Sequence, residues 1–217
     1  MTVTNRYDVS ELVEAQYQHG SRGRVLRNLL GITGKRLMDE IEAREQKRAL
    51  RDILTAYSAD HRFKSEDIQW MHKIWLSGIY EWAGHYRQVN LSKGEFPFAA
   101  AVRIPELMNK FEDEQLRQYT PCRFKTNAEV VHALAVVHTE LVLIHPFREG
   151  NGRIARMLAI VMASQAGLPP LDFSHLEGRK KQEYFGAVQA GLDYEYEPMK
   201  TIFSGVIERT LRKREQT

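Results

Sequence analysis

Twelve consecutive residues carry most of the chemistry this chain can offer: His145-Pro146-Phe147-Arg148-Glu149-Gly150-Asn151-Gly152-Arg153-Ile154-Ala155-Arg156. Gly150 and Gly152 strip side chains from the start of an apolar helical run, so backbone N–H groups are accessible there. A helix N-terminus with bare amides attracts anions through hydrogen bonds and through its dipole. Arg153 and Arg156, spaced i and i+3, share one helix face beside those amides. Two guanidinium forks suit a polyphosphate better than a single carboxylate. Glu149 adds a carboxylate to this cationic surround, which makes sense if it holds Mg²⁺ together with substrate phosphates. His145 closes the preceding helix, where a neutral imidazole can take a proton from an attacking hydroxyl. Base, metal ligand, amide nest and arginine clamps together describe nucleophilic attack on a nucleotide phosphorus.

Two buried helices must hold that loop. Residues 127–144 are apolar nearly all the way round, and a second apolar helix is expected over Ile154–Ala166, stopped by Gly167 with Pro169 and Pro170 beyond. Upstream, Lys35 to about Ala56 reads as a charged amphipathic helix with Leu37, Ile41, Leu50, Ile53 and Leu54 as its apolar positions. Ser65 opens a helix expected to reach about Tyr80. Residues 84–102 break the helical period, with β-formers on both sides of Ser92-Lys93-Gly94-Glu95, a hairpin signal. A helix from Pro105 to about Tyr119 follows, and two more fill about 176–192 and 197–213. The expectation is about seven helices and one hairpin.

Composition sets the class. At 217 residues, with 43% hydrophobic and 27% charged residues, the chain can bury a real core. Lys+Arg 31 against Asp+Glu 28 gives only +3, too small an excess to make nucleic acid the main partner. A single cysteine, Cys122, excludes an internal disulfide framework and a Cys-based zinc site. The longest all-apolar run is Met157–Ala163, and the start MTVTNRYDVS has no apolar leader region. A soluble, cytoplasmic protein without a membrane partner is therefore expected.

HPFREGNGRIAR resembles the motif of the Fic (filamentation induced by cAMP) family without departure, and WAGHYRQVN (Trp82–Asn90) resembles the segment ahead of that family's flap hairpin. The resemblance covers roughly 65–208, leaving 1–64 as an N-terminal helical extension and 209–217 as a basic C-terminal tail. It implies an all-α, Fic-type helical bundle with a small β-hairpin flap, acting as a protein adenylyltransferase: AMP passes from ATP to a Ser, Thr or Tyr hydroxyl of a target protein, and pyrophosphate leaves. It gives His145 the role of general base and Glu149 that of Mg²⁺ ligand. Phe147, Gly150, Asn151, Gly152, Arg153 and Arg156 become the nucleotide-binding set, Phe147 by anchoring the loop in the core. The hairpin at about 87–99 becomes the flap that aligns the target's extended segment by main-chain pairing, with Phe96 and Phe98 as core-facing strand residues. A kinase-like branch, Doc, resembles this motif with Lys at the position of Gly152, so its absence implies AMP transfer. A Fic enzyme using another nucleotide or phosphate donor, or one removing AMP, stands as the alternative.

The same resemblance implies control by a carboxylate on the second motif arginine, Arg156, carried on a Ser/Thr-x-x-x-Glu helix. Ser10/Glu14, Ser77/Glu81 and Ser204/Glu208 have that spacing but lack its final Gly or Asn; Glu208 and Glu14 are the candidates, Ser77/Glu81 falling inside a core helix. An antitoxin partner carrying the helix, with this chain as the toxin half, is the other arrangement. His132 and His138, six residues apart, do not share a helix face and are expected to be structural. Tyr184, Tyr194 and Tyr196 suit either an adenine pocket or core packing.

Overall fold

A helix with no polar face has to be enclosed on every side, and the 127–144 segment is. The computed structural model describes residues 11–176 and 179–216. Among these residues the chain forms α1 (Lys35–Ala56), α2 (Ser65–Leu76), β1 (Ser92–Lys93), β2 (Phe96–Pro97) and α3 (Ile104–Phe111), which continues through a π-helical turn to Tyr119. Then come α4 (Asn127–Ile144), α5 (Asn151–Gln165), α6 (Arg179–Ala190) and α7 (Glu197–Glu215). The fold is all-α with one two-residue-by-two-residue antiparallel hairpin.

Helix α4 is the axis. Thr126 caps it by accepting from Glu129 N–H, while the Glu129 carboxylate accepts from Thr126 N–H. Twelve of its eighteen residues are buried, against α5 on one side and α6 and α7 on others. By length and composition it would suit a membrane span, but 67% of that stretch is enclosed by the rest of the protein. Helix α5 starts at Asn151, three residues earlier than the periodicity suggests, because Gly150 (φ +87°) turns the chain straight into it. Helix α2 stops at Leu76, short of Tyr80, so Ser77 and Glu81 lie in turns, not in a core helix.

The packed face of α1 differs from the expected one. Met38, Glu42, Ala49 and Ile53 are buried, whereas Leu37 is 51% exposed. The stripe is rotated because a carboxylate, Glu42, occupies a core position, where it is neutralised from α5. The expected tail is helical: α7 runs to Glu215, and Arg209 and Lys213 pair with Asp172 at 3.9 and 3.1 Å.

After α6 the chain passes Gly191 directly beneath α4. A Cβ there would land on Thr139 Cγ2 and lie 3.2 Å from Leu143 Cδ1. Gly191→Ala is expected to cost about 1–3 kcal/mol by overpacking. Urea unfolding beside the parent chain measures it, and an unchanged midpoint would mean that the α4–α6 junction is looser than described.

Candidate active site

The loop between α4 and α5 is held from below by rings. Phe147 is fully buried and stacks on His72 of α2, ring centres 3.9 Å apart and 9° from parallel. The side chain of Asn151 closes the loop on itself: Oδ1 accepts from Phe147 N–H at 2.8 Å and Nδ2 donates to Phe147 O at 2.7 Å. With its side chain so engaged, Asn151 offers an anion its backbone amide. Gly150 is required twice over, by its positive φ and because a Cβ would meet the Trp75 ring at 2.7 Å. The amides of Asn151 and Gly152 then head α5, where first-turn N–H groups have no intrahelical acceptor.

His145 ends α4 in a left-handed conformation (φ 53°, ψ 57°). Its Nδ1 donates to Val142 O at 3.0 Å, so Nε2 keeps its lone pair. Burial pushes its pKa down to about 4, outweighing the bond to Val142 O that favours the charged form, and the charge of Arg87 adds a smaller push downward. The imidazole is thus neutral near pH 7. Phe98 lies flat on it, ring centres 3.6 Å apart, and Phe96 packs edge-on against Phe185. Both hairpin phenylalanines are only partly buried instead of entering the core: Phe98 lines the cavity, and Phe96 packs on Phe185 of its wall.

His145, Glu149, Gly152, Arg153 and Arg156 all line one cavity of about 630 Å³. Lys93, Arg148 and Lys181 add positive charge, so among the described residues its charged lining is five cations and one carboxylate. That balance suits a polyphosphate. Arg156 donates from Nε to Gly152 O and has no carboxylate partner among the described residues. Arg153 Nη1 pairs with Glu42 at 2.6 Å and Nη2 with Glu149 at 3.0 Å, its guanidinium 4.6 Å above the Trp75 ring. Burial opposes the Arg153 charge, but the two carboxylates more than offset this and raise its pKa.

Glu149 Oε1 accepts from Gly150 N–H and from Arg153, leaving Oε2, and its side chain is 44% exposed. The described residues contain no group of three or more metal-ligating side chains. One reachable carboxylate in a phosphate cavity fits a divalent cation that arrives with its phosphates.

Neither candidate inhibitory carboxylate reaches Arg156. Glu14 is buried elsewhere, accepting from Gln88 N–H at 2.6 Å, while its carbonyl accepts from Arg148. Glu208 is exposed on α7 and faces Arg212; Ser10 lies outside the described residues. Of the three tyrosines only Tyr184 lines the cavity, its hydroxyl 2.7 Å from His138 Nε2. Tyr194 is 72% exposed, and Tyr196 donates to Glu140. His132 bonds the Tyr119 hydroxyl and His138 that of Tyr184, so both are structural as expected.

Sequence reasoning missed four side chains. Glu42, Trp75 and His72 hide among apolar helix positions. Arg87 was passed over inside WAGHYRQVN, yet it is 1% exposed and donates to the carbonyls of His145 (2.7 Å), Val89 (2.6 Å) and Ala99 (2.6 Å). It ties His145 to both ends of the hairpin segment. Its signal is an arginine just before an expected hairpin with no acidic residue near it in sequence.

Fold and site together define a helical domain built around an anion cavity at a helix N-terminus. A family model described as Fic/DOC family matches residues 62–163, just under half of the chain, and over that stretch the chain is similar to the family. It is 29% identical over 177 residues to the protein adenylyltransferase VbhT of Bartonella schoenbuchensis, covering 75% of this chain but 34% of that protein. The chain thus spans about a third of that relative's length. The BepC protein of Bartonella tribocorum, solved with bound AMPPNP, superposes with a TM-score of 0.71 at 22% identity, over 91% of this chain and 98% of that one. The N-terminal Fic domain of a Bartonella quintana cell filamentation protein, solved with ADP, gives 0.67 at 26% identity over 83% and 89%.

Arg87→Ala leaves three buried carbonyls without donors, an expected loss of about 3 kcal/mol or more. Arg87→Lys keeps the charge but not the three-way reach. Its flap amides, Phe98 N–H above all, are expected to exchange hydrogen faster than in the parent at equal global stability. Unchanged flap exchange would show that Arg87 does not hold the hairpin.

Proposed function

We propose that this chain is a protein adenylyltransferase, moving AMP from ATP to a Ser, Thr or Tyr hydroxyl of a target protein. One observation carries the reading: the Nε2 lone pair of His145 opens into the cavity that holds the α5 amides and both arginines. The adenylyltransferase name of the relative above and the nucleotides in the two solved structures point the same way.

In the reaction, Nε2 of His145 accepts the proton of the target hydroxyl as its oxygen bonds to the α-phosphorus. The bond from that phosphorus to the bridging oxygen breaks, and pyrophosphate leaves. Arg153, Arg156 and the first amides of α5 stabilise the charge on the departing oxygens. Mg²⁺, which Glu149 would hold, supplies further charge neutralisation when bound. The hairpin presents exposed strand edges at 92–93 and 96–97 for a target segment to pair with. Phe98 shields His145 from water on that side. We place the work in the cytoplasm, where ATP is supplied. Since Glu14 and Glu208 are engaged elsewhere, an inhibitory carboxylate on Arg156 would come from a partner such as an antitoxin, with residues 65–208 as the catalytic unit.

Purified chain is incubated with α-labelled ATP and Mg²⁺, with and without host lysate. Label on protein is expected, reduced about 10²–10⁴-fold by His145→Ala. No label with ATP, or label unaffected by that change, sinks the reading; label only from another nucleotide redirects the donor. Because the folded His145 pKa is lowered, the base is neutral across the upper pH range and is lost as pH falls through it. Transfer is expected to hold from about pH 8 to about pH 5.5 and to decline below about pH 5. A decline centred near pH 6.5 would show an unperturbed imidazole.

A further inference from the structure

We propose that Glu42 is a positioning residue of the phosphate site: it is the standing counter-ion of Arg153, and by carrying that charge it leaves Glu149 to a metal ion. The inference rests on the nucleotide reading above and concerns a residue outside the 62–163 family match.

The two carboxylates on Arg153 are not equivalent. Glu42 is 5% exposed at its side chain, Glu149 44%. Glu42 is fastened at three points: Oε2 to Arg153 at 2.6 Å, Oε1 from the Tyr80 hydroxyl at 2.7 Å, and its carbonyl from Trp75 Nε1 at 2.9 Å. Glu149, at the tip of a loop, has its carbonyl held by His72 Nε2, but among the described residues its carboxylate meets only Arg153 Nη2 and the adjacent amide of Gly150. One partner is built in and the other can turn away. Two further cations beside the pair, Arg24 and Lys35, line a small cavity with it but bond elsewhere, to Ser21 O and Asp39.

The charge count gives the consequence. Arg153 and Arg156 contribute two positive charges at the phosphate end of the cavity, Glu42 and Glu149 two negative ones. Their sum is zero, so a polyphosphate gains little from these four groups until a cation comes with it. Without the Glu42 charge, the desolvated Arg153 would keep Glu149 as its sole counter-ion and hold it more tightly. The site would also be one unit more positive. Metal-free nucleotide would then bind better, and a metal would contribute less. Glu42 thereby sets how strongly nucleotide binding depends on the metal.

Calorimetric titration of a non-hydrolysable ATP analogue, in EDTA and in Mg²⁺, tests this on the parent chain, Glu42→Gln, Glu42→Asp and Glu149→Gln, each with a melting curve. The glutamine keeps an acceptor for Arg153 and a group for the Tyr80 hydroxyl, so it changes charge at nearly constant shape. In the parent, Mg²⁺ is expected to tighten binding. In Glu42→Gln, metal-free binding is expected to tighten and the gain from Mg²⁺ to shrink about five- to tenfold. Glu42→Asp, with its charge kept, is expected to restore the parental gain. A gain in Glu42→Gln equal to the parent's overturns the proposal, as does an aspartate variant that behaves like glutamine; a merely structural Glu42 would lower the melting temperature and leave the gain alone. Should Glu42→Gln not fold, Glu149→Gln decides. It is expected to melt close to the parent, with Glu42 still balancing Arg153, and to lose most of the gain from Mg²⁺, whereas a melting temperature well below the parent's or an undiminished gain would overturn the assignment. A parent chain that binds no analogue under either condition sinks the nucleotide reading, and this inference with it. Binding by the parent with Glu42→Gln unmoved sinks this inference alone.

Discussion

The stack of Phe147 on His72 is the contact from which the geometry of the site follows. A short loop between two buried helices has to reverse the chain while turning polar groups outward, and its underside needs an apolar filling. Phe147 supplies that, but a ring alone would leave the loop free to pivot. His72 removes the pivot, because both of its nitrogens are engaged. Gly84 N–H donates to Nδ1 at 2.8 Å, so Nε2 carries the proton and donates to Glu149 O at 3.1 Å. This arrangement works only for a neutral imidazole, and burial pushes the His72 pKa down to about 3. One side chain thereby joins α2, the turn before the flap and the loop that carries Glu149. Asn151 completes the lock on Phe147, and the amides of α5 are aimed as a result.

Two buried guanidiniums work around that frame in opposite ways. Arg87 has main-chain carbonyls for partners, and burial lowers its pKa despite the distant charge of Glu14. A charge satisfied by carbonyl dipoles ties segments together by geometry, here His145 and the two feet of the hairpin. Arg153 is satisfied by carboxylates, so its environment is defined by charge balance. The first sets where His145 and the hairpin stand; the second sets what potential an incoming anion meets. Exchanging the two environments would cost both functions: carboxylates around Arg87 would add negative charge beside His145, and carbonyls around Arg153 would leave a full positive charge in the cavity.

What was legible in the sequence was what is local in it. The motif loop is twelve contiguous residues, and α4 and α5 announce themselves because their burial is so complete that almost no polar position interrupts them. The hairpin was visible through its turn. The contacts that failed to show are made over long separations: Glu42 to Arg153 across 111 positions, and Arg87 to His145 across 58. Neither leaves a periodic trace. Glu42 misled the reading of α1 outright, since a carboxylate on the packed stripe shifts the apparent apolar face toward Leu37. The two Ser-x-x-x-Glu strings failed for the converse reason. Spacing along one helix says nothing about which arginine the carboxylate can reach, and Glu14 turned out to accept from the backbone of Gln88.

The N-terminal segment is therefore part of the site's physics and not an appendage to it. Its Glu14 holds the foot of the flap through Gln88 and the motif loop through Arg148, and its Glu42 balances the first motif arginine. Both lie ahead of the stretch that matches the family model. Two chains with identical catalytic loops can thus differ in the potential at the phosphates and in the stiffness of the flap, through residues that no motif records. The loop supplies His145 and both arginines. The charge at which they operate is set from α1, by one carboxylate that Tyr80 and Trp75 keep in place.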